Sequence, residues 1–228
     1  MTNYLKSLDW SVLIEFALRV IPALLCITLH ELSHGYVAYL LGDTTARDAG
    51  RLTLNPVRHI DPMGLLMMLI FRFGWAKPVP VNMYRFDNPK RGMAITALAG
   101  PASNVLICIV FLALYGLLYI PLYFHSVLGE AGGYLLEMLY MTAYISLAMG
   151  VFNLLPIPPL DGSKVLYSVL SDEAYIKLMR YERYGMIALW LLVWSGTFGS
   201  PLSTATAWVF DKLFAVAEFG FNLMNRFI

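Results

Sequence analysis

Charge is scarce in this 228-residue chain, and the scarcity excludes most soluble folds. Only 14% of residues are Asp, Glu, Lys or Arg, against about a quarter in an ordinary soluble domain. A chain this poor in ions is expected to use lipid as most of its solvent. The formal net charge is +1, which leaves no electrostatic basis for holding nucleic acid. Cysteine is nearly absent. Cys26 and Cys108 both lie inside apolar runs and read as small core residues rather than a disulfide or a thiolate metal pair. No repeat, low-complexity tract or long linker interrupts the sequence, so residues 1–228 are expected to form a single transmembrane domain. A cleaved leader is not expected either, because Asp9, Glu15 and Arg19 break the apolar stretch that follows Lys6.

What the chain does have is apolar length. A helix needs about 20 mostly apolar residues to cross a bilayer. Residues 93–124, 138–160 and 184–210 carry no charged side chain, although Gly196, Gly199 and Pro201 break the last run. A fourth stretch, 10–41, is apolar overall but contains Glu15, Arg19, His30, Glu31 and His34. Residues 63–71 are apolar but too short to cross, and suit a re-entrant or interfacial piece. The stretch 205–224, with Asp211, Lys212 and Glu218, suits a poor span or an interfacial helix. The expected fold is therefore an all-α polytopic helical bundle. Its connection 43–92 holds Arg47, Arg51, Arg58, Arg72, Lys77, Arg85, Lys90 and Arg91, and the connection after 160 holds Lys164, Lys177, Arg180 and Arg183. The connection 125–133 has no Lys or Arg. The positive-inside rule then places 43–92 and 161–183 in the cytoplasm.

The first apolar stretch carries His30-Glu31-Leu32-Ser33-His34, an H-E-x-x-H pattern. On a helix, positions i and i+4 share a face. Two imidazoles at that spacing bind one zinc ion, and the glutamate between them is placed to take a proton from water. A polar cluster inside a membrane helix costs about 2–3 kcal/mol or more if charged and unpaired, so it reads as functional. Taking the helix to end near Gly42 puts His34 roughly 12 Å from that end.

A catalytic zinc needs a third protein ligand. Asp43, Asp48, His59 and Asp61 follow the motif closely among arginines and read as solvated loop charges and caps. Asp161 follows Pro156, Pro158 and Pro159, which stop a helix and leave a stiff strap, with Gly162 permitting a turn. Spacing alone leaves Asp161 open between a metal ligand and the N-cap of a helix starting near Ser163.

Together these residues resemble the site-2 protease family of intramembrane zinc metalloproteases, in its compact bacterial and archaeal form. The likeness covers most of residues 20–170. It rests on His30–His34, on Asn153 through the proline-rich stretch to Asp161-Gly162, and on Gly100-Pro101-Ala102-Ser103-Asn104. Gly50–Pro56 and Lys77–Asn82 add to it. The resemblance implies a three-helix catalytic core, one Zn2+ per chain held by His30, His34 and Asp161, and Glu31 as the catalytic residue. It also implies that the substrate is a membrane protein with a transmembrane segment. The enzyme would be a multi-pass protein of the cell membrane, cutting near the cytoplasmic face, with extra helices at 184–228. No regulatory domain of the kind larger members carry is visible.

A helical substrate has its carbonyls engaged and must unwind before it is cut. The alternation of Pro78 and Pro80 favours an extended segment with an edge. Val79 and Val81 would then pair with substrate by strand addition; a protected loop is the other reading. Asn104 and Asn153 are each expected either to bond substrate backbone and orient the site or to make an interhelical packing bond. A membrane transporter and an inactive relative that binds membrane segments without cutting remain as alternatives.

Overall fold

The computed structural model describes residues 10–71, 74–196 and 199–227. Lys6, Asp9 and Arg72, and the side chains of Arg180 and Arg183, lie outside the described set. The elements are α1 (Trp10–Leu40), α2 (Thr45–Asp48), α3 (Pro62–Phe71), α4 (Pro89–Tyr119), α5 (Glu130–Asn153), α6 (Asp161–Ser168), α7 (Asp172–Trp194), α8 (Gly199–Leu213) and α9 (Ala215–Met224). Among the described residues there is no sheet, only one bridge between Ile60 and Ala76. Three helices, Leu13–Leu40, Pro89–Phe124 and Glu130–Asn153, are long and apolar enough to cross a membrane, and α7 with the helices after it would add a fourth if they act as one broken span. The protein is a multi-pass membrane protein of all-α class.

The helices meet along rows spaced by four. On α1 the buried positions include Leu18, Pro22, Cys26, His30, His34 and Ala38. On α4 they include Gly92, Thr96, Gly100, Asn104, Cys108, Leu112 and Gly116. Residues four apart stack on one helix face, so each row is a ridge. The ridges lie antiparallel, with His30 against Asn104 and His34 against Thr96 and Gly100. The two histidines thus point inward because they continue the buried row, while Phe16, Ile21 and Leu25 on α1 stay exposed.

Below the histidines, Cys108, Leu112, Ala143, Leu147, Phe210 and Ala217 form the apolar core. The stretch 205–224 forms most of α8 and all of α9, which supply Phe210 and Ala217 to that core. Helix α9 reaches α4 because Gly116 and Gly220 face each other. A Cβ on Gly220 would come within 2.9 Å of the Leu117 nitrogen.

Helix α1 ends at Leu40, two residues before the expected stop. Gly42 has φ of +101°, and Asp43 N–H and Gly42 N–H return to the carbonyls of Ala38 and Tyr39 at 2.9 and 3.1 Å. This is the Schellman cap, which favours glycine. His34 therefore sits about 9 Å from the helix end, closer than the sequence estimate. Helix α5 likewise ends at Asn153, ahead of the proline strap.

Candidate active site

Three polar atoms from two distant parts of the chain converge. His30 Nε2 and His34 Nε2 lie 3.0 Å apart, and Asp161 Oδ2 lies 3.2 and 3.0 Å from them. Among the described residues this is the only group of three or more His, Cys, Asp or Glu side chains arranged to hold a metal. The triangle has the dimensions of a zinc site. Tetrahedral ligands at about 2.0–2.1 Å from zinc stand about 3.3 Å from one another. All three residues are buried, and Asp161 Oδ2 makes no hydrogen bond of proper geometry. A buried oxygen with no hydrogen-bond partner of its own, facing two imidazole nitrogens, fits a cation between them.

The far side of each imidazole is fixed. His34 Nδ1–H donates to the Thr96 carbonyl at 2.7 Å, which leaves the Nε2 lone pair facing the triangle. The Asn104 amide lies 3.0 Å from His30 Nδ1, and Ser146 Oγ–H donates to the Asn104 backbone carbonyl at 2.9 Å. Asn104 is fully buried and stands behind His30, off the cavity wall.

Asp161 reaches the triangle from the first turn of α6, where Leu160 is the N-cap. It is therefore not the cap that spacing left open, and its carboxylate is free for other work. Gly162 has a different purpose from the expected turn. A Cβ there would stand 2.6 Å from the Leu155 carbonyl and would overlap that of Leu154. Only glycine lets α6 pack this tightly on the end of α5. Burial works against ionisation of Asp161, but the two imidazoles and Lys164 outweigh it and hold the carboxyl well below the usual range. Lys164 Nζ lies 3.6 Å from Asp161 Oδ1.

Beside the triangle is a cavity of about 290 Å³, lined in part by Glu31, Val79, Val81, Thr96, Asn153 and Lys164. Glu31 Oε2 accepts a hydrogen bond from Val79 N–H at 2.9 Å. Asn153 is on the wall, its amide nitrogen donating to the Met149 carbonyl at 3.0 Å. The sequence reading gave no site role to Thr96, Gly100 or Lys164. The row of small or polar residues at every fourth position from Gly92 would have found the first two. A Cβ on Gly100 would lie 2.6 Å from His30 Cε1 and nearer still to the His34 ring, so that glycine makes the room the imidazoles occupy.

The other acidic candidates are elsewhere. Asp48 is exposed and bonds the Thr44 hydroxyl and Arg47. Asp61 accepts from Gly64 N–H, and buried His59 lies 2.9 Å from the Thr53 carbonyl. Asp43 is not the solvated loop charge expected of it, since its side chain is 0% exposed. It accepts from Thr45 and from Asn82 N–H. Burial opposes its ionisation, but those bonds and nearby Arg85 lower its pKa below the ordinary value.

Known proteins resemble this one along most of its length. Residues 122–193 match Peptidase family M50. The chain is 36% identical over 189 residues to "Putative zinc metalloprotease YwhC" of Bacillus subtilis (strain 168), covering 83% of each chain. It is 31% identical over 202 residues to "Putative zinc metalloprotease Rip2" of Mycobacterium tuberculosis, covering 86% of this chain and 74% of that one. "Zinc metalloprotease MJ0392" of Methanocaldococcus jannaschii matches at 28% identity over 173 residues, 75% of this chain and 38% of its own. No solved structure matches.

Proposed function

Since the chain belongs to peptidase family M50, the site-2 protease family of zinc metallopeptidases, we propose that it hydrolyses peptide bonds within or beside the membrane-spanning segments of other proteins. His30, His34 and Asp161 hold the zinc, and Glu31 is the catalytic base. The proposal stands on the triangle of two imidazole nitrogens and one carboxylate oxygen on a membrane-crossing helix. A zinc ion held there would supply Lewis acidity and lower the pKa of water toward neutrality.

The rest of the chemistry belongs to side chains of this chain. Glu31 takes a proton from the attacking water and returns it to the leaving amine. Val79 N–H, now bonded to Glu31 Oε2, holds the carboxylate at the cavity wall. Thr96 and Asn104 keep the imidazoles turned toward the metal. Lys164 draws Asp161 Oδ1 aside, so that Oδ2 alone faces the triangle. The connection 43–92 faces the cytoplasm, and the cut is made near that face of the cell membrane.

The extended strap Lys77–Asn82 receives the unwound substrate. In an extended chain, residues i and i+2 direct their backbone groups to the same side. Val79 and Val81 line the cavity, while the Pro78 carbonyl turns to Arg51. Among the described residues, Val81 N–H and Val79 C=O have no hydrogen-bond partner. A substrate strand fits that edge, and the two prolines forfeit no donor on it. Val81→Pro removes the open donor without breaking a bond now made. Zinc content should stay at the wild-type level while kcat/KM falls on the order of tenfold. Unchanged cleavage would exclude strand addition here.

The direct test uses protein purified in detergent. Wild type and Glu31→Gln should each bind about one zinc per chain, and only wild type should cut a membrane-segment substrate. Zinc without cleavage in both would favour a binding module. Transport activity in zinc-free protein would favour a transporter.

A further inference from the structure

Among the described residues, no sheet holds the strap that would receive substrate, and its one ladder contact is at one end, where Lys77 N–H donates to the His59 carbonyl at 2.9 Å beside the Ile60–Ala76 bridge. Glu31 Oε2 accepts from Val79 N–H in the middle, and two buried charges hold the ends. Arg51 donates through Nη2 to the Lys77 carbonyl at 2.7 Å and through Nη1 to the Pro78 carbonyl at 3.2 Å. At the other end, Asp43 Oδ2 accepts from Asn82 N–H at 2.6 Å.

Neither charge is spent as an ordinary ion pair. Arg51 is 6% exposed, its Nε has no partner, and no carboxylate stands within ion-pair distance among the described residues. Burying a guanidinium against two carbonyls is costly, and a hydrophobic residue would fill the space more cheaply. The planar fork, however, spans two successive carbonyls as a lysine ammonium cannot. Asp43 has Arg85 only at 4.0 Å.

Backbone geometry delivers both groups. Gly42 and Gly50, with φ of +101° and +64°, each end a helix just before Asp43 and Arg51. On the motif helix, Gly35 gives the strap its seat, since a Cβ there would stand 2.9 Å from Val79 Cγ1.

We propose that Arg51 and Asp43 are positioning residues that clamp the two ends of the Lys77–Asn82 strap and so fix the register of a bound peptide against Glu31 and the metal ligands. This rests on the protease reading and adds the device that sets which backbone position of the substrate meets the base.

The test compares two hydroxamates on zinc-loaded, full-length protein. Acetohydroxamate reaches only the metal. Benzyloxycarbonyl-Leu-Leu hydroxamate adds a peptide backbone that would lie along Val79–Val81. Arg51→Lys, which keeps the charge and loses the fork, should weaken the peptidyl probe by about tenfold or more and change acetohydroxamate by less than about twofold. Asp43→Asn should do the same from the other end. Amide exchange at Lys77, Val79 and Asn82 should speed up in both variants, with α4 still protected. Equal weakening of both probes, or of neither, overturns the clamp while leaving the protease reading intact. A zinc-loaded wild type that binds neither probe sinks both.

Discussion

Gly100→Ala is expected to empty the metal centre while leaving the helices in place. The added methyl would stand 2.6 Å from His30 Cε1, with the His34 ring closer still. Contacts under 3.0 Å are relieved only by movement, and overpacking a filled site costs about 1–3 kcal/mol. The α4 backbone beyond Gly100 is held by Ser146 Oγ–H on the Asn104 carbonyl, whereas the rings can turn about their side-chain torsions, so the imidazoles are what gives way. Zinc tolerates about 0.2 Å of ligand displacement, far less than the methyl demands. Bound zinc should fall from about one per chain to below roughly a tenth, and cleavage with it. Helical circular dichroism should stay close to wild type. Metal analysis after dialysis against a weak chelator reads the result, and wild-type zinc content would show that the row has slack.

Asp161→Asn should have an effect of similar size by a different route. The variant keeps the shape of the side chain but replaces an anionic ligand by a neutral amide. It also leaves Lys164, 3.6 Å from Oδ1, facing the site without its counter-charge. Loss even of an outer-shell partner costs about 10–100-fold in metal affinity, so loss of the ligand should cost on the order of 100-fold or more. Competition with a chromogenic chelator measures this directly. Asp48→Asn, on an exposed carboxylate, is the control and should bind zinc as wild type does. A variant at position 161 with near-normal affinity would remove this carboxylate from the ligand set.

These two residues differ in how far the sequence reveals them. The pairing of His30 with His34 is legible because helical periodicity alone puts them on one face. The third member of the triangle is not. Asp161 is over a hundred positions away, and nothing local distinguishes a ligand from a cap. Its place is decided by the packing of α6 against α4 and against the Leu154–Leu155 turn that follows α5, which Gly162 permits. Gly100 sits in a quotable motif, yet its purpose emerges only once the imidazoles are found against it. Asp43 and Arg51 look like two more charges in a polar connection until burial shows them gripping opposite ends of one strap.

The sequence by itself determined that the chain lives in lipid, that helices cross it, and that one helix presents two imidazoles and a carboxylate on a single turn. Those are consequences of composition and of a 3.6-residue period, which act within a few residues. Only the tertiary structure decided which carboxylate completes the triangle, how far the site lies from the end of its helix, which glycines make room and what holds the strap. Those depend on contacts between segments far apart in the chain, where packing chooses among partners that local spacing cannot distinguish.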